Sequence, residues 1–497
     1  MKRTTGRSTR LLAIAGIILA LPVLVVYITA SSNTPPLKSW HTEVLTEEFT
    51  ESMVDEQVRS FEDYLELEQR LFRQLDEQIY ANNATGPAHA LERYSSGSAA
   101  DPNRRQTNWN HSFELASTPA AGGVLLLHGM SDSPYSLRAL GEALNSHGYQ
   151  VIGLRSPGHG TAPSGLKRAT WQDMAAAVKL AMEHLELSLG SRPIHIIGYS
   201  TGASLALDYT LNAVEEAVAT VPASLVLISP AIRIHSAGAL AGLKNSLSAL
   251  PGLDGLAYLS VMAEFDPYKY NSFATNAGAQ VHRLTRDVDR RLQVLARNPE
   301  AAGKLPPILV LKSTVDSTVT TDAVVDNLLM RLPAGRNELA LFDINRNAAI
   351  KSTLLVSDPG PLSNRMMADP DLPFAVTFIT NESPHSTRVV VRHKAPFSLA
   401  APEIENLDLN WPRDVISLSH IALPFPPDDP LYGQRPPPDT DLVFLGDLAF
   451  KGEQGLLKLP PEWLLRMRYN PFYDYLQMRV FQWVDDNDGA IELLNDI

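Results

Sequence analysis

The residues most able to do chemistry form the pentapeptide Gly198-Tyr199-Ser200-Thr201-Gly202. It follows the apolar run Ile194-His195-Ile196-Ile197 and precedes a stretch with helical spacing over 204–214. A turn this tight between strand and helix demands small residues around the serine, and its strained backbone lifts the hydroxyl clear of the sheet. The hydroxyl then sits at a helix N-terminus, where the dipole favours developing negative charge. That arrangement suits nucleophilic attack on a carbonyl, with Ser200 as the nucleophile. The competing reading is a strand–helix turn with a purely structural role. Attack also requires donors for an oxyanion. The expected pair is the backbone N–H of Thr201 and that of Met130, in the loop His128-Gly129-Met130 that follows the apolar run 124–127. Gly129 permits that loop's close approach. His128 precedes Ser200 and reads as a structural loop histidine.

Three segments in order carry a family likeness: His128-Gly129-Met130-Ser131-Asp132-Ser133-Pro134, then Leu154-Arg155-Ser156-Pro157-Gly158-His159-Gly160-Thr161, then the Ser200 pentapeptide. Together they resemble the α/β-hydrolase superfamily, in particular bacterial carboxylesterases, monoacylglycerol lipases and lysophospholipase-like enzymes. The likeness covers about 122–210 and the strand around 307–319. It is specific for the fold and weak for the substrate. It implies an α/β fold with a mostly parallel central sheet and helices on both faces. It also implies a serine hydrolase whose nucleophile, acid and histidine follow one another in that chain order.

A serine hydroxyl is a poor nucleophile at neutral pH and requires a histidine base oriented by a carboxylate. The acid candidate is Asp316, just past the apolar run 308–311 in Ser313-Thr314-Val315-Asp316-Ser317-Thr318-Val319. Asp322 and Asp326 fall inside the next helix and read as surface or capping residues. The histidine departs from the family pattern. It should follow the next strand, 339–343, but Ile344-Asn345-Arg346-Asn347 contains none. The later histidines are His385, His393 and His420. His393 lies between Arg392 and Lys394, a poor setting for a base, and His385 lies in a hairpin turn. His420 follows a strand candidate, 415–419, and leads into a loop, so His420 is preferred over His385. This choice implies an insertion containing strands over about 348–409. A protein that kept the fold and lost the base is the alternative.

The supporting elements follow from an alternating strand and helix rhythm that begins near Trp109. Strands are expected over 123–127, 149–154, 193–197, 224–228 and 307–311, and helices over 136–147, 171–187, 204–214 and 322–332. The rhythm stops over 232–305, a segment read as a helical cap whose Tyr258, Phe265, Tyr268, Tyr270 and Phe273 help form an apolar acyl pocket. Extra helical packing is the plainer reading. Residues 374–379 and 387–391 alternate like strands, and 472–484 reads as a closing amphipathic helix. Upstream, 31–108 is read as a linker and an acidic helical segment. Its 54–80 stretch places Val58, Phe61, Leu65, Phe72, Leu75 and Ile79 at helical spacing, with the acidic residues on a solvated face. The hydrolase-like domain is thus 109–497.

The 497 residues carry a formal net charge of −13, which disfavours non-specific binding to nucleic acid or anionic lipid. There is no cysteine, so disulfides, thiol nucleophiles and thiolate metal sites are excluded. Scattered histidines and the lack of a glycine-rich phosphate loop leave no metal or cofactor expected. Lys2, Arg3, Arg7 and Arg10 precede an uncharged apolar run, 11–30. Twenty residues at helical rise span about 30 Å, the thickness of a bilayer core. Residues 1–30 are therefore read as an N-terminal transmembrane anchor of a bacterial inner membrane, with the rest periplasmic or extracellular. A cleaved signal and secretion form the alternative. The expected partner is a small ester or lipid-like substrate. Amide hydrolysis, acyl transfer and a non-catalytic envelope scaffold are the competing functions.

Overall fold

A computed structural model of the chain describes residues 35–216, 219–233, 254–316, 318–347, 360–412, 415, 417–438, 440–446 and 467–488. The expected anchor over 11–30 lies outside them. Among the described residues, no helix is long and apolar enough to cross a membrane.

The frame is a ten-stranded sheet with strands β1 (Phe113–Leu115), β2 (Gly123–Leu127), β3 (Gln150–Leu154), β4 (Ile194–Tyr199) and β5 (Ser224–Ile228) in its first half. A separate small hairpin, β6 (Tyr258–Ser260) with β7 (Phe273–Ala274), follows. The sheet continues with β8 (Ile308–Ser313), β9 (Glu338–Phe342), β10 (Ala375–Asn381), β11 (Arg388–Lys394) and β12 (Glu403–Asn410). Its order is β1-β3-β2-β4-β5-β8-β9-β10-β11-β12. The pairs from β3 through β10 are parallel, while β1, β11 and β12 join antiparallel at the two edges. Strands β2, β3, β4, β5, β8 and β9 are buried along their whole length, which is why they read as continuous apolar runs. The outer strand β12 is mostly exposed and carries Glu403, Glu405 and Asp408, charges that discourage pairing with another edge.

Helices cover both faces. One face holds α1 (Phe61–Gln78), α3 (Trp171–Leu189), α4 (Thr201–Glu216) and α5 (Thr275–Leu295), and the other holds α2 (Tyr135–Ser146) and α8 (Tyr473–Asn487). Two shorter helices are α6 (Thr321–Asn327) and α7 (Gly360–Ala368). Each fully buried aliphatic side chain in these layers contributes about 1.5–3 kcal/mol. Helix α1 starts where the Ser60 side chain accepts from Asp63 N–H, and it buries Phe61, Tyr64, Leu67, Leu71, Phe72 and Leu75. It is shorter than the expected 54–80, because 54–60 forms a turn with an isolated bridge between Val54 and Val58, and Tyr80–Asn82 forms a separate turn of 3₁₀ helix. Its acidic residues do not all face solvent. Glu68 is buried, with its carboxylate on Arg155 Nε at 2.9 Å and on Ser112 Oγ at 2.8 Å.

Three other expectations change. Residues 417–419 form no strand, and His420 opens a 3₁₀ turn, His420–Ala422. The expected cap falls partly outside the described residues, at 234–253. Its described remainder holds the β6–β7 hairpin and α5, and α5 packs with α3 and α4 in the helical layer through Val281, Leu284, Val288 and Leu292. The aromatic residues of this segment are mostly committed to packing. Tyr268 stacks on Tyr135 at 4.1 Å between ring centroids, Tyr270 OH donates to Gly158 O, and Tyr258 OH donates to His41 O.

Candidate active site

Ser200 sits between β4 and α4 with φ of +54°, in the left-handed region that non-glycine residues rarely adopt. Its N–H donates to Ile228 O at 3.0 Å, and its carbonyl accepts from Ala231 N–H at 3.1 Å, so the end of β5 pins the turn. The flanking glycines are steric requirements. A Cβ on Gly202 would lie 2.0 Å from Leu127 O, and one on Gly198 would lie 2.5 Å from Ala203 N.

The loop after β2 closes against this turn. A Cβ on Gly129 would come within 3.2 Å of Ser200 Cβ. Met130 follows in that loop and Thr201 opens α4, so both expected backbone donors belong to segments that abut Ser200. His128 is held by both ring nitrogens. Ser156 N–H donates to its Nε2 at 3.1 Å, which leaves the proton on Nδ1, 2.9 Å from Gly129 O. Burial pushes its pKa down to about 4, with the Arg155 charge adding to that, so it stays neutral at physiological pH.

The structure brings Ser200, Asp316 and His420 together from three distant parts of the chain. His420 Nε2 lies 3.1 Å from Ser200 Oγ, and His420 Nδ1 lies 2.8 Å from Asp316 Oδ2. Asp316 stands three residues past β8, and its Oδ1 accepts the backbone N–H of Thr318 at 2.8 Å and of Val319 at 3.0 Å. Burial alone would raise its carboxyl. The His420 hydrogen bond and charge, the Lys312 ammonium and the Val319 N–H outweigh it and hold the carboxyl far below the usual range. The Tyr199 ring packs 5.4 Å from the His420 ring, and Tyr199 OH donates to His420 O. Ser313 Oγ donates to Leu418 O at 2.8 Å, tying the segment before His420 to the end of β8.

The other histidines after Asp316 stand elsewhere. His385 is exposed in the turn between β10 and β11, and His393 on β11 bonds to Thr377 Oγ1 at 2.8 Å. Lys312, which no motif singles out, also belongs to the cluster of Ser200, His420 and Asp316. It is buried at the end of β8, with Nζ 3.3 Å from Asp316 Oδ2. A signal existed, since a lysine ends an otherwise apolar strand four residues before the candidate acid. Among the described residues, no group of three or more His, Asp or Glu side chains could hold a metal ion.

An apolar cavity of about 980 Å³ has Ile421, Phe265, Ala263, Val443, Phe444 and Leu445 on its wall; Ile421 follows His420 in the chain, but Ser200, Asp316 and His420 are not among the residues that line it. Of the five aromatic residues expected to line an acyl pocket, Phe265 is found there.

Residues 118–343 match the family model described as serine aminopeptidase, S33. The match includes Ser200 and Asp316 and ends before His420. Over 116 residues the chain is 34% identical to a thermostable monoacylglycerol lipase of Bacillus sp. (strain H-257), an alignment covering 23% of this chain and 45% of that protein. The chain thus spans about half the length of the curated relative it matches. Among solved structures it is similar to a monoacylglycerol lipase of Paleococcus ferrophilus, at 17% identity over 47% of this chain and 88% of that one, with a TM-score of 0.36. It is also similar to a soluble variant of monoglyceride lipase from Saccharomyces cerevisiae in complex with a substrate analogue, at 15% identity over 47% and 82%, with a TM-score of 0.35.

Proposed function

We propose that this chain, an α/β-hydrolase by its fold, is a serine hydrolase that cleaves carboxylic esters of acyl or lipid-like substrates. The observation that carries the reading is the continuous contact from Ser200 Oγ through His420 to Asp316, at 3.1 and 2.8 Å. In this mechanism His420 Nε2 takes the Ser200 proton as Oγ attacks the ester carbonyl. The Met130 and Thr201 N–H groups hold the oxyanion of the tetrahedral intermediate. His420 then protonates the leaving alkoxide, and a water activated by the same nitrogen hydrolyses the acyl-enzyme. Asp316 keeps the proton on Nδ1 and stabilises the imidazolium. The apolar cavity that Ile421 lines is of a size and character to take an acyl chain.

The description of the matching family favours a second reading, hydrolysis of a peptide or amide with a free amino terminus. That substrate requires an uncommitted acidic group in the pocket. The acidic residues on the cavity wall are engaged: Glu92 with His89, Asp441 with Arg104, and Glu264 with the Asn271 and Ser272 N–H groups. The ester reading is therefore the stronger. The basic and apolar N-terminal residues, 1–30, support an inner-membrane anchor with the catalytic domain outside the cytoplasm.

The test is fluorophosphonate labelling of wild type, Ser200→Ala, His420→Ala and His385→Ala, followed by turnover of matched esters, amides and acyl acceptors. Labelling is expected in wild type and His385→Ala and lost in the other two. A folded wild type that takes no label leaves a non-catalytic scaffold as the reading.

A further inference from the structure

Lys312 is a costly residue for its position. It lies on a strand buried along its whole length, and its side chain is fully enclosed. An ammonium removed from water is retained only where a partner offsets the loss of hydration. The contacts its Nζ makes are Asp316 Oδ2 at 3.3 Å and the Ser313 carbonyl at 3.2 Å. The charge therefore serves the Asp316 carboxylate, which four donors surround. Two backbone N–H groups take Oδ1, while His420 Nδ1 and Lys312 Nζ share Oδ2.

That sharing has a chemical consequence. A proton added to His420 would place two cations on one carboxylate oxygen. We infer that Lys312 is a positioning residue that, by sharing Asp316 Oδ2 with His420 Nδ1, holds the carboxylate in place and extends the hydrolase activity toward acid pH. The inference rests on the proposed hydrolase reading and adds a residue to it. Among the described residues, the groups that face His420 are Asp316 from the β8 side, with Lys312 behind it on the shared Oδ2, and Ser200 and the Tyr199 ring from the β4 turn. Among the described residues, the charged group that faces Lys312 is Asp316. Burial brings the Lys312 pKa down to about 8 against the pull of Asp316, so the ammonium is present across the acid limb.

A charge within about 4–6 Å moves a neighbouring titration by about one to three units. The experiment measures kcat/KM and fluorophosphonate labelling rate against pH for the wild type, Lys312→Met, Lys312→Gln and Lys312→Arg. Methionine removes charge and donor, glutamine removes only the charge, and arginine keeps both. The acid limb, normalised to each enzyme's own plateau, is expected to move up by about one unit or more in the methionine and glutamine variants and to stay in the arginine variant. At a pH on the wild-type limb, that is about a tenfold loss relative to the plateau.

A merely structural role would lower the plateau and leave the limb where it was. An unmoved limb in labelled, folded Lys312→Met and Lys312→Gln overturns the inference. So does failure of both to fold while Lys312→Arg folds, because the charge then acts on stability alone. A wild type that takes no label on Ser200 strikes the hydrolase reading itself and is thereby distinguishable.

Discussion

Asp316→Asn is the sharpest perturbation of the site, because the surrounding donors dictate which way the new amide points. Oδ1 accepts two backbone N–H groups, from Thr318 and Val319. Only the amide oxygen can occupy that place, so the amide NH₂ must turn to the position of Oδ2. There it meets His420 Nδ1, which lies 2.8 Å from the carboxylate, and Lys312 Nζ. An NH₂ cannot accept a proton, so Nδ1 must become the acceptor and the ring proton moves to Nε2. Nε2 faces Ser200 Oγ at 3.1 Å and in this tautomer can no longer take the serine proton. Loss of the correct tautomer in such a triad costs about 10,000-fold in kcat, or about 5 kcal/mol of barrier. The expected result is a folded protein whose kcat on a short-chain chromogenic ester falls by about that factor, with KM little changed. Fluorophosphonate labelling should slow in parallel. Activity within tenfold of wild type would refute the assignment of Asp316 as the orienting carboxylate.

Two further outcomes concern the framework. Arg155→Met removes the guanidinium from the buried Glu68 carboxylate, leaving it with His111 Nδ1 at 3.6 Å and the Ser112 donors, and the guanidinium also holds Glu48 and the His159 carbonyl. Breaking one side of a buried pair costs about 3–5 kcal/mol, readable in denaturant unfolding, and a loss under about 1 kcal/mol would contradict the role given to the pair. Glu264 has its pKa raised to about 7 by burial, against the opposing N–H groups of Asn271 and Ser272. A raised carboxyl contributes stability that is fully present below its unfolded value near 4.5 and is lost as pH rises through 7. Wild-type stability should therefore fall by about 3 kcal/mol from pH 4.5 to 8 on account of this group. The slope should flatten in Glu264→Gln, and an unchanged slope would count against it.

The legible parts of this protein are those in which a local pattern and a tertiary role coincide. Strands β2 and β5 match their expected bounds, because a strand covered on both faces must be apolar throughout. The Ser200 turn was readable because Gly198 and Gly202 have no steric substitute. Glu68 and Lys312 were misread or passed over for the opposite reason. A charged residue on a helix or at a strand end carries no mark of burial, which is decided by a partner far along the chain. Glu68 is buried because Arg155 arrives 87 positions later. Composition alone points the aromatic residues of 258–273 toward a pocket, but partners distant in the chain engage several of them: Tyr258 bonds to His41, Tyr268 stacks on Tyr135, and Tyr270 bonds to Gly158 and Thr161.

The position of His420 follows from how the sheet is extended. After β9 the chain adds β10 in parallel and then β11 and β12 antiparallel, and only then returns to the active-site end. Four strands, β9 to β12, thus separate the acid from the base in sequence while leaving them 2.8 Å apart in space. The return is anchored at several points: Asn345 donates to Pro412 O and Val415 O, Trp411 Nε1 donates to Val415 O, and Ser313 Oγ donates to Leu418 O. Asn345 lies where a histidine directly after β9 was expected, and its side chain instead fastens the incoming segment. The missing histidine and the extra strands are therefore two aspects of one arrangement. Asn345, three residues past β9, braces the loop that carries His420, so a histidine this far along the chain still reaches Asp316 and Ser200.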